Sequence, residues 1–534
     1  MVTLPSASEG EIAGARGLIK IAPMDVALRL GGERIFVWFV IFLGFVAAIA
    51  FGFLVGEDSV TTAIVLAATL GTLAWVALAR RRWWLIVPAA AGIGGYFYFG
   101  FKIYPHEVAL LGAFVPLALA VAVRLPGTIQ KRAINFPMTM YFLSAYLFAH
   151  WLGSNIYNRM QGDPGFGNVS RAYFNAIWVI VFAIAFWRYG STKYVRAALL
   201  ISYITAFIRV FIGLLTYLVN GFAYVPILNY VLPGSTESRG ADVRASALAL
   251  GLFAACYFLI QRGFLRRIFH GGVFLASVVA LFFGAGRGSL VIMALVPVSI
   301  ALLYRKVGPI FLSLVTVGTF LGVVNLNPTM LDGLPLPVQR SASVLLFDKG
   351  LANSYGRTST SDYWHEELRE IGFRNWTRSW NTFIFGTGIR PFDAGTYREV
   401  EGKTTLEDLM VSASKVGAYE SGWWTVAAVL GLVGLLSYLL VFAYLLRNLV
   451  PILWKEKVAD HRHAFAYLAV FWIANWLFLG WASGSYPGVE IMYGFIALCA
   501  FQDRERAGRT IRPVALPERQ RPSPPRRSLQ PAGR

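Results

Sequence analysis

Apolar runs long enough to cross a membrane recur along this chain, and they leave few folds open to it. We read fourteen: 35–55, 61–79, 83–101, 108–123, 137–153, 172–187, 197–218, 243–261, 271–286, 288–304, 307–325, 422–446, 464–482 and 488–501. A hydrocarbon core of about 30 Å takes roughly 20 apolar residues as a helix. A helix also satisfies its own backbone groups where no water can. The predicted fold is therefore all-α, a polytopic integral membrane protein of about 12–14 transmembrane helices. Charged residues make up only 14% of the chain, against roughly 25% in a soluble domain. They fall in short islands between the runs. Sixteen Trp and 24 Tyr, many near run ends, suit the aromatic belts of the two interfaces.

The islands alternate. Arg80-Arg81-Arg82, then Arg124 with Lys131 and Arg132, then Arg188, Lys193 and Arg196 are basic, as are Arg262, Arg266 and Arg267, then Arg305-Lys306, and the stretch from Arg447 to Arg462. The intervening loops are not enriched in Lys or Arg. By the positive-inside rule the basic loops face the cytoplasm, with both termini. The net charge of +20 then reads as membrane topology, and no nucleic-acid partner is expected. The first 34 residues lack an early apolar core, so no cleaved signal peptide is expected. The domain reading is a cytoplasmic segment 1–34, helices over 35–325, a large periplasmic loop subdomain 326–421, helices over 422–501, and an Arg/Pro-rich cytoplasmic tail 502–534 expected to be disordered.

Two Cys, both in apolar runs, give no disulfide framework, and six scattered His give no metal-ligand spacing, so no metal or other cofactor is expected. The loop from Asn325 to Ser421 carries ten Lys/Arg and twelve Asp/Glu. Loops of that length are uncommon and usually functional. Within it, Ser361–Trp380 reads as a helix with Trp364, Leu368, Ile371 and Asn375 on one face and Ser361 as N-cap. Gly386 and Gly388 then form a turn.

Four constellations carry chemistry. Gly284-Ala285-Gly286-Arg287-Gly288-Ser289 interrupts an apolar stretch. An Arg there is expensive unless it lines a wet cavity or pairs with an anion, and the flanking glycines permit close approach. The plain alternative is a turn with a snorkelling Arg. Glu237-Ser238-Arg239 with Arg244-Ala245-Ser246 places two Arg on the side where Arg is scarce. They form either an anion site, since guanidinium forks match phosphate oxygens, or a local salt-bridge cluster. Arg374, Arg378 and Arg390 with Trp376 and Trp380 suit phosphate and sugar binding, or an amphipathic surface helix. Glu420, at the boundary where the loop re-enters the membrane, is expected to be partly desolvated. Desolvation raises a carboxyl pKa and suits a general base. The alternative is an interfacial residue capping a helix.

In this order and topology the constellations resemble the O-antigen ligase/polymerase superfamily of bacterial envelope glycan assembly. The resemblance spans roughly residues 200–500. It rests on Arg244-Ala245-Ser246, on Gly286-Arg287-Gly288 before an apolar helix, on the long loop ending in Phe385-Gly386-Thr387-Gly388, and on Leu430-Gly431-Leu432-Val433-Gly434. It implies a donor glycan on a polyprenyl pyrophosphate, an acceptor sugar hydroxyl, and transfer at the periplasmic face of the inner membrane without metal or nucleotide. The pyrophosphate would be held by Arg244 and Arg287, with Arg239, Arg374 or Arg378 as helpers. Where the ligase branch places a His-Asn pair near 420–421, this chain has Glu420-Ser421, which leans towards the polymerase branch.

The function expected is thus a metal-independent, inverting glycosyltransferase that polymerises lipid-linked repeat units into an exopolysaccharide or O-antigen. Its catalytic residues would be Glu420, Arg287 and Arg244, and its substrate-binding residues Arg239, Arg374, Arg378, Arg390 and Trp376. Expected partners are the donor, a glycan acceptor, the bilayer and other polysaccharide-assembly proteins. Two alternatives stand beside it: a ligase delivering finished glycan to a lipid or protein, and a transporter of polysaccharide or lipid-linked glycan. The sequence shows no repeat between its halves to favour the transporter.

Overall fold

The structure, a computed structural model, describes residues 80–91, 97–98, 102–103, 105–122, 136–160, 166–218, 236–284, 286–303, 307–354, 358–389, 410, 413–414, 417–455, 459–481, 484 and 486–510. The N-terminal segment, the apolar runs 35–55 and 61–79, Arg390 and the chain beyond residue 510 lie outside that set, as does the side chain of Arg239.

Among the described residues the regular elements are helices apart from one short antiparallel pair, β1 (Phe97–Tyr98) with β2 (Lys102–Ile103), in register Phe97↔Ile103. That pair corrects the reading of 83–101 as one span. A 3₁₀ turn over Arg80–Leu85 leads into α1 (Ile86–Ala91), too short to cross a bilayer, and the chain resumes in α2 (Pro105–Ala122). There follow α3 (Met138–Met160), α4 (Phe166–Tyr189), α5 (Val195–Leu218), α6 (Thr236–Ile260), α7 (Phe264–Phe283), α8 (Arg287–Leu303) and α9 (Val307–Leu326). Between α9 and the next long helix lie α10 (Leu336–Ala342), α11 (Lys349–Ser354), α12 (Thr358–Thr377) and α13 (Trp380–Phe385). The chain returns through α14 (Gly422–Lys455), α15 (His461–Leu479) and α16 (Val489–Thr510). Helix α16 runs into the segment expected to be disordered, where Asp503 accepts a hydrogen bond from Thr192 at 2.7 Å.

Among the described residues, four helices are long and apolar enough to cross a membrane: Thr192–Leu214, Val243–Ile260, Phe264–Phe283 and Gly422–Lys455. Helix α14 is central, with 61% of its apolar window buried, and α7 is peripheral, with 28%. The outward faces of α5, α7 and α9 expose Phe211, Leu275, Val279, Phe311 and Leu314. Such belts are aggregation hazards in water and ordinary surface in lipid.

Helix α14 is broken. Gly431 adopts φ 67°, ψ −171° inside it, which frees the carbonyls of the preceding turn. Each finds a donor from outside the helix. Thr387 N–H and its hydroxyl donate to Ala428 O at 2.8 and 3.0 Å, Gly388 N–H to Val429 O at 3.1 Å, and the Tyr146 hydroxyl of α3 to Leu430 O at 2.6 Å. The break and the turn after α13 therefore fit one another. Gly386 (φ 80°) and Gly431 lie back to back: a β-carbon on Gly386 would stand 2.2 Å from Val429 O, and one on Gly431 2.3 Å from Ile384 O. Helix α3 adds a second grip through His150, whose Nε2 lies 2.6 Å from Phe385 O, and Asn158, which donates to Ile389 O at 3.3 Å.

Gly386→Ala or Gly431→Ala combines a left-handed backbone with a backbone clash, and each is expected to cost at least about 2 kcal/mol. Thermal unfolding of the detergent-solubilised chain checks this. Gly272→Ala, on an open face of α7, is expected to leave the transition unchanged.

Candidate functional site

The amphipathic pattern of α12 sets out the site. Leu368 is fully buried, and Asn375 donates to the buried Tyr419 hydroxyl at 3.0 Å. A β-carbon on Gly372 would touch Trp424 and Tyr419, so α12 lies closely against the start of α14. This is the face that the sequence pattern predicts, although the helix begins at Thr358 and not after an N-cap at Ser361. On the adjoining face, Asp362, His365 and Arg369 recur at helical spacing. Arg369 stacks on Trp481, 5.3 Å from its ring centre, just past α15.

Arg244 and Arg287 come together across a glycine turn. A β-carbon on Gly284 would lie 2.8 Å from Cβ of Arg244, and one on Gly286 would lie 2.1 Å from its Cδ. The stem of Arg244 thus rests on the residue immediately before Arg287. Any other residue at 286 would displace it. Arg287 opens α8, where the helix dipole is unfavourable to a cation. Its fork is met by the Asp362 carboxylate, with Nη2 to Oδ1 at 2.5 Å and Nη1 to Oδ2 at 3.4 Å. Asp362 is more than half exposed, so the pair is worth no more than about 1 kcal/mol.

Glu420 makes a further contact with α12. Its Oε2 lies 2.9 Å from His365 Nδ1, in a contact angled away from a straight hydrogen bond. The structure reverses the expectation of a raised carboxyl. The close contact with His365 lowers the pKa most. Burial opposes it, while the charge of His365, a hydrogen bond from Trp364 and the charge of Arg244 lower it further. Glu420 is also the one non-glycine residue with positive φ, 52°, among those described. Such a backbone costs on the order of 1–3 kcal/mol and persists only where the surroundings fix it. Its neighbour Ser421 is buried and donates to Gly480 O and Trp481 O, both at 2.9 Å.

The remaining sequence candidates fall elsewhere. Arg374 is held by carboxylates of its own helix, Glu367 at 2.9 Å and Glu370 at 3.7 Å. It lies twelve residues, about 18 Å of helix, beyond Asp362. Arg378 is exposed in the turn after α12. Trp376 donates to Phe383 O at 2.9 Å and stacks on the Phe383 ring at 4.9 Å, so it fastens α13 to α12 and offers no open sugar platform. Asp362, His365 and Trp364 were not among the candidates. Only the spacing of Asp362 and His365, beside the apolar stripe of α12, pointed to them.

No family model, curated protein or solved structure matches this chain.

The lowered pKa of Glu420 fixes the sign of a pH effect. Its contribution to the α12 contact is present above the ordinary carboxylate pKa and is lost as pH falls through the depressed one. The protection factors of the α12 amides, exchange rates divided into the intrinsic rates at each pH, are expected to fall on acidification from pH 5 to pH 3 in the native chain. Glu420→Gln is expected to be less protected at pH 5 and to change less over the same interval.

Proposed function

We propose that this chain is a glycosyltransferase of the bacterial inner membrane, with 12–14 spans and both termini cytoplasmic. It polymerises polyprenyl-pyrophosphate-linked repeat units at the periplasmic face. The observation that carries this reading is the stem of Arg244 laid on Gly286 beside Arg287, where two arginines border one turn at the end of an apolar helix. Guanidinium forks stabilise charge developing on a departing pyrophosphate.

The geometry favours a different base from the one read in the sequence. A carboxylate with a lowered pKa is a weak proton acceptor. Glu420 instead orients His365 through Nδ1, which leaves Nε2 to take the proton. The acceptor hydroxyl gives that proton to Nε2, and its oxygen bonds to the anomeric carbon. The bond from that carbon to the pyrophosphate breaks, and the lipid pyrophosphate leaves with the electron pair against Arg244 and Arg287. Asp362 competes with the phosphate for Arg287.

A ligase is the second reading, and one observation favours it. The ligase branch carries a histidine near position 420, and here α12 brings His365 against that position from elsewhere in the chain. Product length separates the two: a ladder of repeats marks a polymerase, and one transfer per chain marks a ligase.

With purified lipid-linked repeat unit, Arg287→Ala and Arg287→Lys are expected to lower kcat by about 10²–10³, and His365→Gln by about 10²–10⁴. Glu420→Gln should be milder and shift the pH profile. Full turnover in both Arg287 variants defeats the reading. Asp362→Asn, by releasing Arg287, is expected to bind inorganic pyrophosphate several-fold more tightly, measured by calorimetry in nanodiscs.

A further inference from the structure

Arg340 sits in α10, and what holds that short helix leaves its guanidinium unused. Ser341 donates to Phe282 O, the last turn of α7, at 2.9 Å. Ala342 joins a small core with Val324, Leu331 and Leu346, against which Phe282 packs. Helix α10 also packs on α8. Since Phe282 is five residues from Arg287, α10 stands beside the Gly284–Arg287 turn that carries the stem of Arg244. The Arg340 side chain is half-buried, and its Nε is sealed from solvent with no hydrogen-bond partner. It makes no ion pair with any described residue. A covered guanidinium N–H without an acceptor is costly and calls for an explanation.

The charges around the turn supply one. Arg287 is matched by Asp362, and Arg244 acts on Glu420. Each of those two cations has a carboxylate acting on it, so a dianion at the turn meets competition for both. Arg340 is the additional positive charge. We propose that Arg340 is a third guanidinium ligand of a diphosphate bound at the Gly284–Arg287 turn, a residue that provides the net charge and a second fork. This rests on the reading above and extends its site to α10.

An anionic phospholipid headgroup offers related phosphate chemistry, so the experiment separates the two sources. The full-length chain is placed in nanodiscs of phosphatidylcholine, with or without phosphatidylglycerol. Affinities for inorganic pyrophosphate, inorganic phosphate and farnesyl diphosphate are measured for the native chain, Arg340→Gln, Arg340→Lys and Arg287→Ala. In Arg340→Gln both diphosphates are expected to bind about tenfold more weakly, with phosphate affected less and the melting temperature unchanged. Arg340→Lys keeps the charge and is expected to recover part of the loss, because an ammonium lacks the fork. It also stands in should the Gln variant fail to fold. Native affinity for pyrophosphate in both variants overturns the proposal. So does a change confined to the phosphatidylglycerol dependence, which would make Arg340 a headgroup anchor. If the native chain binds no diphosphate, the function reading falls first. If Arg287→Ala alone weakens binding, only the role of Arg340 falls.

Discussion

The break in α14 is the constraint on which the outer half of the molecule depends. In a bilayer an unpaired carbonyl costs several kcal/mol, so an interrupted helix survives only where other groups take over its hydrogen bonds. Here they come from Thr387, Gly388 and Tyr146. The price of opening the helix is met by binding the end of the long loop to it. The loop subdomain is therefore no loose appendage. Helix α13 is set by the Gly386–Gly431 contact and by its own capping box at Ser379. Helix α12 is set by α13 through Trp376, and so Asp362 and His365 stand where they do.

The position of Arg287 follows from dimensions as well as from contacts. Helix α8 has 17 residues, about 25 Å of rise, close to the thickness of a hydrocarbon core. Arg287 thus stands at one end of an apolar helix of about that length, with Arg305-Lys306 following it in sequence. A cation at a helix N-terminus opposes the dipole, and stability alone would favour a carboxylate there. The carboxylate is supplied instead from α12, by Asp362 on a separate element. A cation compensated from outside its own helix can exchange that partner for another anion, whereas Arg374, matched within α12, gains nothing by exchange.

What the sequence made legible were features written in local periodicity. Within the described residues the apolar runs marked the helices except over 83–101, the stripe through Leu368 and Asn375 marked the buried face of α12, and Gly386 marked a turn. The Gly284–Arg287 motif and Arg244 were legible as a scarcity of charge broken in two places. The break at Gly431 was not, because Leu430–Gly434 is apolar throughout and a tertiary clash, invisible in a window of residues, decides it. The pKa of Glu420 was misread for a similar reason. Burial was inferable from position, but the opposing contacts come from Trp364 and His365, more than fifty residues away. Trp376 looked like a sugar platform because its partner, Phe383, belongs to the next helix.

Glu420 ties these levels together. Tyr419 before it is buried and held by Asn375 of α12, and Ser421 after it is buried and held by the end of α15. With both neighbours anchored to different elements, the residue between them has few backbone conformations left, and it takes a left-handed one that a carboxylate gains nothing from by itself. The same two anchors aim its side chain at His365. The strain is thus the consequence of joining α12, α14 and α15 at one point, and the carboxylate placed there is held with little freedom to relax. That is the condition a residue must meet to fix the ring orientation of a neighbouring histidine. A glycine at 420 would relieve the backbone and lose the aim.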